Sequence, residues 1–284
     1  MTKTFYRIKD QGYGRGIFLS LLILFFASKS AAQIKYDFPQ FGKETGQFFS
    51  TPLHWDALDF GTFALLGGLT AVAAGIEFPV RDIKFIDRAF YYSPEAIGGR
   101  MYGELYTPFV IFSTYAIYSL LSKDPASSHQ ARKIAYEIGQ SCLYSAAIVS
   151  ILKITIGRAR PLANEGKFSF DPLTLFDDYH HSFPSGHTTE AFTMSTILSL
   201  NAHSTWLKVL AYVPAFFTPF SRAYQGWHWI SDCVFGAGIG YFVGKWVTDL
   251  HAKNEAAAVA TSSTTHSIIS QLPTVYPISL TYSF

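Results

Sequence analysis

The sequence predicts an all-α protein, a bundle of about six apolar helices with a polar site at one end, membrane-embedded or membrane-associated. Three observations carry this. Hydrophobic residues make up 49% of the 284 residues and charged residues only 15%, a balance at the upper apolar edge of the soluble range. The apolar residues gather into six long runs, parted by short segments rich in Pro, Gly or charge. Aromatic residues reach 17%, which suits helices at a membrane interface.

Residues 1–32 read as an export signal. Lys3, Arg7, Lys9 and Arg15 make a positive start, residues 17–27 are apolar except for Ser20, and Ser30-Ala31-Ala32 offers small residues for cleavage. Such a short core spans a bilayer poorly. An uncleaved signal anchor is the alternative, and either way the next segment leaves the cytoplasm. Residues 33–56 are mixed and irregular, with Pro39, Gly42, Gly46 and Pro52, and read as an arm that packs on something larger.

A helical domain follows over residues 57–250. Asp56 or Asp59 can cap its first helix, the Gly- and Ala-rich run 61–78, which Pro79 stops. Residues 81–100 carry both charge signs and read as short amphipathic pieces. The second run, 105–121, ends at Lys123-Asp124-Pro125, and a third helix runs from about 128 to 156. Residues 158–182 form a polar connector with Pro161, Gly166 and Pro172. Runs 188–202 and 206–217 are two more helices; Pro214 kinks the second and Pro219 ends it. The sixth run is 229–247. The tail, residues 251–284, is Ala-, Ser- and Thr-rich from Lys253 and reads as loosely ordered. Its end, 278–284, alternates like a strand but follows Pro277 with no partner in view.

A net charge of +2 argues against a nucleic-acid partner, which calls for a basic patch. Cys142 and Cys233 fall inside apolar runs and read as buried small hydrophobes.

Three stretches carry chemistry. In Ser221 to Asp232, His228 and Asp232 are four apart and share a helical face. A carboxylate there can take the proton of one imidazole nitrogen, fixing the tautomer and freeing the other nitrogen to attack. On that reading Asp232→Asn keeps the fold and slows the attack. Arg222, in the approach loop, offers a planar fork for an oxyanion. In Lys153 to Pro161, Lys153 and Arg160 are seven apart, on roughly one face of a helix end. Cations at a helix C-terminus are ordinary dipole partners, but Lys153 sits inside an apolar run, where an ammonium is costly without an anion. In Phe183 to His187, Pro184 and Gly186 shape a tight helix start whose free amides suit an anion. Ser185 adds a hydroxyl or is a plain N-cap, and His187 can supply or remove a proton. His180 and His181 read as loop histidines. Nothing has metal-ligand spacing, so no metal or other cofactor is expected. The inventory fits metal-free phosphoryl transfer through a phosphohistidine: His228 attacks, His187 protonates the leaving oxygen, and Lys153, Arg160 and Arg222 neutralise the phosphoryl group.

The three stretches resemble the signature of the type 2 phosphatidic acid phosphatase superfamily, the lipid phosphate phosphatases. The pattern is Lys, six residues, Arg-Pro; then Pro-Ser-Gly-His; then Ser-Arg, five residues, His, three residues, Asp. Lys153 with Arg160-Pro161, Pro184 to His187, and Ser221-Arg222 with His228 and Asp232 match it without a gap, in order, over about residues 57–250. The resemblance implies six core helices, usually membrane-spanning, no metal, and phosphate monoester or diphosphate substrates, often lipids. It implies the same roles for Lys153, Arg160, Ser185, Gly186, His187, Arg222, His228 and Asp232.

The expected partners are thus a membrane and a phosphorylated lipid or small phosphate ester, with the site facing the periplasm or cell exterior. Helix counting conflicts with that side: if residue 33 starts outside and every run spans, Arg160 falls on the cytoplasmic face. Either the first run does not span, or the helices sit in or on another membrane, or the body is a soluble periplasmic acid phosphatase. Vanadium haloperoxidases share the site pattern, and no residue here marks a peroxidase pocket. A non-catalytic relic has no use for buried cations.

Overall fold

The computed structural model describes residues 35–78 and 92–271, with side chains as far as residue 260. The export signal, the first part of the 81–100 segment and the alternating end at 278–284 lie outside the described residues.

Five of the helices start on a residue whose side chain accepts from their free amides. Asp37 caps α1 (Phe38–Ser50), accepting from the Gln40 amide at 3.2 Å. Asp56 and Asp59 form a reciprocal capping box on α2 (Ala57–Ile76). Ser93 caps α3 (Pro94–Gly103), which leads into α4 (Tyr106–Leu121). Asp124 caps α5 (Pro125–Ile156), with Pro125 in its first turn. Ser185 caps α6 (Gly186–Leu200), followed by α7 (Thr205–Leu210), α8 (Val213–Tyr224) and α9 (Ile230–Gln271). Among the described residues there is no strand, only an isolated bridge between Arg158 and Phe170.

The centre is α6, packed against α9 and α5, with α4 on α5, α3 on α8 and α2 on α9. A row of glycines in α9 lets it lie against α6. A Cβ at Gly240 would come 2.3 Å from the Thr189 carbonyl oxygen, and one at Gly236 2.7 Å from that of Ser185, so a larger residue would force the helices apart. The apolar core joins Phe112, Ile138, Met194 and Ile197.

Four expectations change. The arm at 33–56 is not irregular: it holds α1, whose Phe48 stacks on Tyr144 with centroids 4.3 Å apart. Glu44 of α1 reaches His251 of α9, whose two ring nitrogens lie 3.2 Å from Glu44 and Glu137. Pro219 does not end a helix. It sits inside α8, which starts afresh after α7 with Pro214 in its first turn, where a missing amide costs nothing. Arg222 is therefore in the last turn of α8 and not in a loop. The tail is not loose at its start: α9 runs through residue 250 to Gln271.

Among the described residues, α2 and α5 are long and apolar enough to cross a membrane. They differ in exposure, since only 11% of the apolar window of α2 is buried against 44% for α5. Leu58, Phe63, Leu69, Val72 and Ile76 all project outward from α2.

Candidate active site

The end of α5 is turned by Gly157, which caps it in the left-handed region at φ +59°. A Cβ there would lie 1.7 Å from the Asp171 carbonyl oxygen, so only glycine fits. The turn lays residues 158–160 against the connector: the Ala159 amide donates to the Ser169 carbonyl at 2.9 Å and the Arg160 amide to that of Tyr179 at 2.8 Å. Lys153, in the last turn of α5, donates to the His181 carbonyl at 2.5 Å. Arg160 is buried, donates from Nη2 to Asp178 Oδ1 at 2.6 Å, and lies 4.7 Å over the Trp227 ring.

Ser185 occupies its capping role: its Oγ is 3.0 Å from Thr188 Oγ1 and accepts weakly from the Thr188 amide at 3.4 Å. Gly186 opens this helix beside Lys153, and a Cβ there would lie in ordinary contact 3.9 Å from Lys153 Cε. Arg222 is buried, with its Nε lacking a hydrogen-bond partner among the described residues. A buried guanidinium donor left unpaired is costly, and an anion is what would pair it.

His228, in the loop before α9, is buried. Its Nδ1 lies 2.7 Å from the Ser182 carbonyl oxygen, whereas Asp232 Oδ2 is 3.8 Å away. A carbonyl only accepts, so Nδ1 carries the proton and Nε2 the lone pair. Burial, and then the positive charges of Lys153, Arg160 and Arg222, hold the His228 pKa well below the usual histidine value. The ring is thus neutral near pH 7, as a nucleophile must be. The Ser182 backbone, rather than Asp232, sets the tautomer.

Asp232 has other work. Its Oδ1 accepts from Arg158 Nη1 at 2.5 Å, and its Oδ2 accepts from Ser182 Oγ at 2.5 Å and the Trp229 amide at 2.8 Å. Arg158 also donates from Nη2 to Glu77 Oε1, and Glu77 Oε2 accepts from the Ser231 amide at 2.9 Å. A buried triad of one guanidinium and two carboxylates therefore locks the His228 loop to the ends of α2 and α5. Sequence reasoning passed over both Arg158 and Glu77. The available signals were a second arginine beside Arg160 and a carboxylate closing an apolar run.

Glu104, between α3 and α4, was missed as well. Its Oε1 lies 3.2 Å from His187 Nε2, out of line for a hydrogen bond. The neighbouring Gly103 presses on the His187 backbone, where a Cβ would come 2.5 Å from its carbonyl oxygen. His180 pairs with Asp177 and Glu165, and His181 contacts the Thr174 carbonyl, both within the connector. Among the described residues no group of three His, Cys, Asp or Glu side chains is placed to hold a metal ion.

The structure thus brings Lys153, Arg160, Ser185, Gly186, His187, Arg222, His228 and Asp232 to the meeting point of α5, α6, α8 and α9. Parts of the chain are similar to known proteins. A lipid A 1-phosphatase of Porphyromonas gingivalis is 39% identical over 94 residues, 31% of this chain and 21% of that protein. An undecaprenyl-diphosphatase of Sulfolobus acidocaldarius is 27% identical over 132 residues, 45% of this chain and 58% of that one. The chain therefore spans less than two thirds of the length of either curated relative. Among solved structures, LpxE of Aquifex aeolicus is 22% identical with a TM-score of 0.41, covering 64% of this chain and 93% of that one. A transmembrane PAP2-type phosphatidylglycerolphosphate phosphatase from Bacillus subtilis is 18% identical with a TM-score of 0.40, covering 83% of this chain and 96% of that one. Residues 136–256, which contain every one of these candidate site residues, match the PAP2 superfamily.

Proposed function

We propose that this chain is a metal-independent phosphatase that hydrolyses phosphate monoesters or diphosphates of lipids through a phosphohistidine on His228. The observation that carries the proposal is a buried, neutral His228 whose tautomer leaves Nε2 free, ringed by Lys153, Arg160 and Arg222. A ring that has lost its water and faces three cations is poised for one kind of electrophile, a group bearing several negative oxygens. His228 Nε2 attacks phosphorus, the bond from phosphorus to the leaving oxygen breaks, and His187 gives that oxygen a proton. Water then attacks the phosphohistidine, His187 takes its proton, and the phosphorus–nitrogen bond breaks to release phosphate. The exposed apolar faces of α2 and α4 support a lipid substrate and a membrane seat.

The test is rapid alkaline quench of purified protein with labelled substrate in excess chelator, because the phosphorus–nitrogen bond survives base and hydrolyses in acid. A labelled phosphoenzyme is expected in the wild type and none in His228→Ala. Label that persists in His228→Ala would place the covalent step elsewhere, and activity that needs added divalent ion would refute the metal-free chemistry.

A further inference from the structure

The connector between α5 and α6 carries more than the site. Over residues 168–179 it turns six large apolar side chains outward: Phe168, Phe170, Leu173, Leu175, Phe176 and Tyr179. Phe176 is 97% exposed. A loop in water gains nothing from such a display, and a cluster of this kind marks an interaction surface. The backbone is also held in a costly shape to make it. Leu173 sits at φ +64°, unusual for a bulky residue, while its amide donates to the Ile154 carbonyl at 2.7 Å.

We propose that this connector is a membrane-docking loop that seats in the head-group region of a lipid bilayer and sets the depth of the phosphate site. The proposal rests on the lipid-phosphatase reading above. Two observations choose lipid as the occupant. First, Lys167 donates to the carbonyls of Gly75 at 2.9 Å and Glu77 at 3.2 Å, which fixes the loop to the C-terminal end of α2. That helix is long and apolar enough to cross a membrane and is exposed along its length. The outward apolar faces of helix and loop are therefore continuous, and the loop lies where the helix would leave the hydrocarbon. Second, the same loop supplies Asp178 to Arg160 and the His181 carbonyl to Lys153. Seating the loop among head groups would bring two phosphate-binding cations to the level of a lipid phosphate.

Charge predicts how the loop binds. Glu165, Asp171, Asp177 and Asp178 outnumber Lys167 around the cluster. Attraction to anionic lipids is thus not the driving term, and docking should be apolar and insensitive to salt.

The experiment uses the full chain in proteoliposomes. Cys142 and Cys233 are buried, so Phe176→Cys can be labelled selectively with a polarity-sensitive fluorophore. Spin-labelled lipids with the nitroxide near the head group should quench it, at low and high salt alike. Quenching by aqueous iodide alone would overturn the proposal. A Leu175→Glu, Phe176→Glu double variant should lose about tenfold in turnover of phosphatidic acid in vesicles yet keep hydrolysis of soluble nitrophenyl phosphate. An unchanged ratio of the two activities would overturn it. So would a shift in oligomeric state in detergent with no change in that ratio, which would make the face a contact between copies. If the wild type hydrolyses neither substrate, the phosphatase reading fails, and the quenching still reads where the loop sits.

Discussion

Asp232→Asn separates two accounts of the aspartate. In the structure its carboxylate accepts three hydrogen bonds and balances Arg158, itself 3% exposed. Asparagine can keep the two bonds at the Oδ2 position only by presenting its NH₂ group to Arg158 Nη1, donor against donor. Breaking one partner of a buried ion pair costs about 3–5 kcal/mol. At about 2–4 °C per kcal/mol for a protein of this size class, the unfolding midpoint should fall by about 6–20 °C. Ser182→Ala removes a single charge-assisted bond and should cost less, about 1.5–3 kcal/mol. The protein that remains folded keeps the Ser182 carbonyl on Nδ1, so its turnover should stay well above the loss of about 10⁴ that a wrong tautomer brings. The assay pairs thermal unfolding in detergent with hydrolysis of a soluble substrate, for wild type, Ser182→Ala and Asp232→Asn. A variant that melts with the wild type while its turnover collapses would refute this reasoning. Asp232 would then act directly on His228, as the spacing of the two residues alone suggests.

Arg222→Lys should remain impaired by about tenfold or more although the charge is kept, because the planar fork is lost; competitive inhibition by orthovanadate should weaken in parallel, and wild-type kinetics would remove Arg222 from the site. His187→Ala should cost about 10²–10⁴-fold with an alkyl phosphate and much less with nitrophenyl phosphate, whose leaving group departs unprotonated; equal losses on both would rule out a general acid. Glu104→Gln takes a negative charge from 3.2 Å beside His187. The imidazolium is then less favoured, so the alkaline limb of the pH–rate profile should move to lower pH by about one unit. A limb that stays in place would separate Glu104 from the acid.

Much of the molecule is legible in the sequence because it is local. Apolar runs, caps and prolines specify helices by rules that act over a few residues, and Asp56 and Ser185 cap where such rules put them, whereas the helix expected from about 128 starts at Pro125 behind Asp124. The candidate site residues are legible because the proposed chemistry demands rare types in apolar surroundings: Lys153 in an apolar run and His228 before one stand out. Pro219 misleads because packing against α3 holds the helix through it, with Thr218 and Ser221 bonded to the carbonyls of Gly99 and Ala96. The family resemblance adds the order and grouping of the three stretches, which spacing within each stretch does not carry.

Only the tertiary structure decided what orients what. From spacing, the partner of the His228 proton is the carboxylate four residues on. In space the partner is a backbone carbonyl from the far end of the connector, and the carboxylate is claimed by Arg158. Glu77, Arg158, Ser182 and Asp232 come from four distant segments, and Glu104 meets His187 across another gap. A backbone acceptor has no residue identity to read, and an arginine in a connector looks the same whether it serves solvent, phosphate or a buried carboxylate. Which of these it serves depends on the distance and burial of groups far along the chain, and those are settled only when the helices pack.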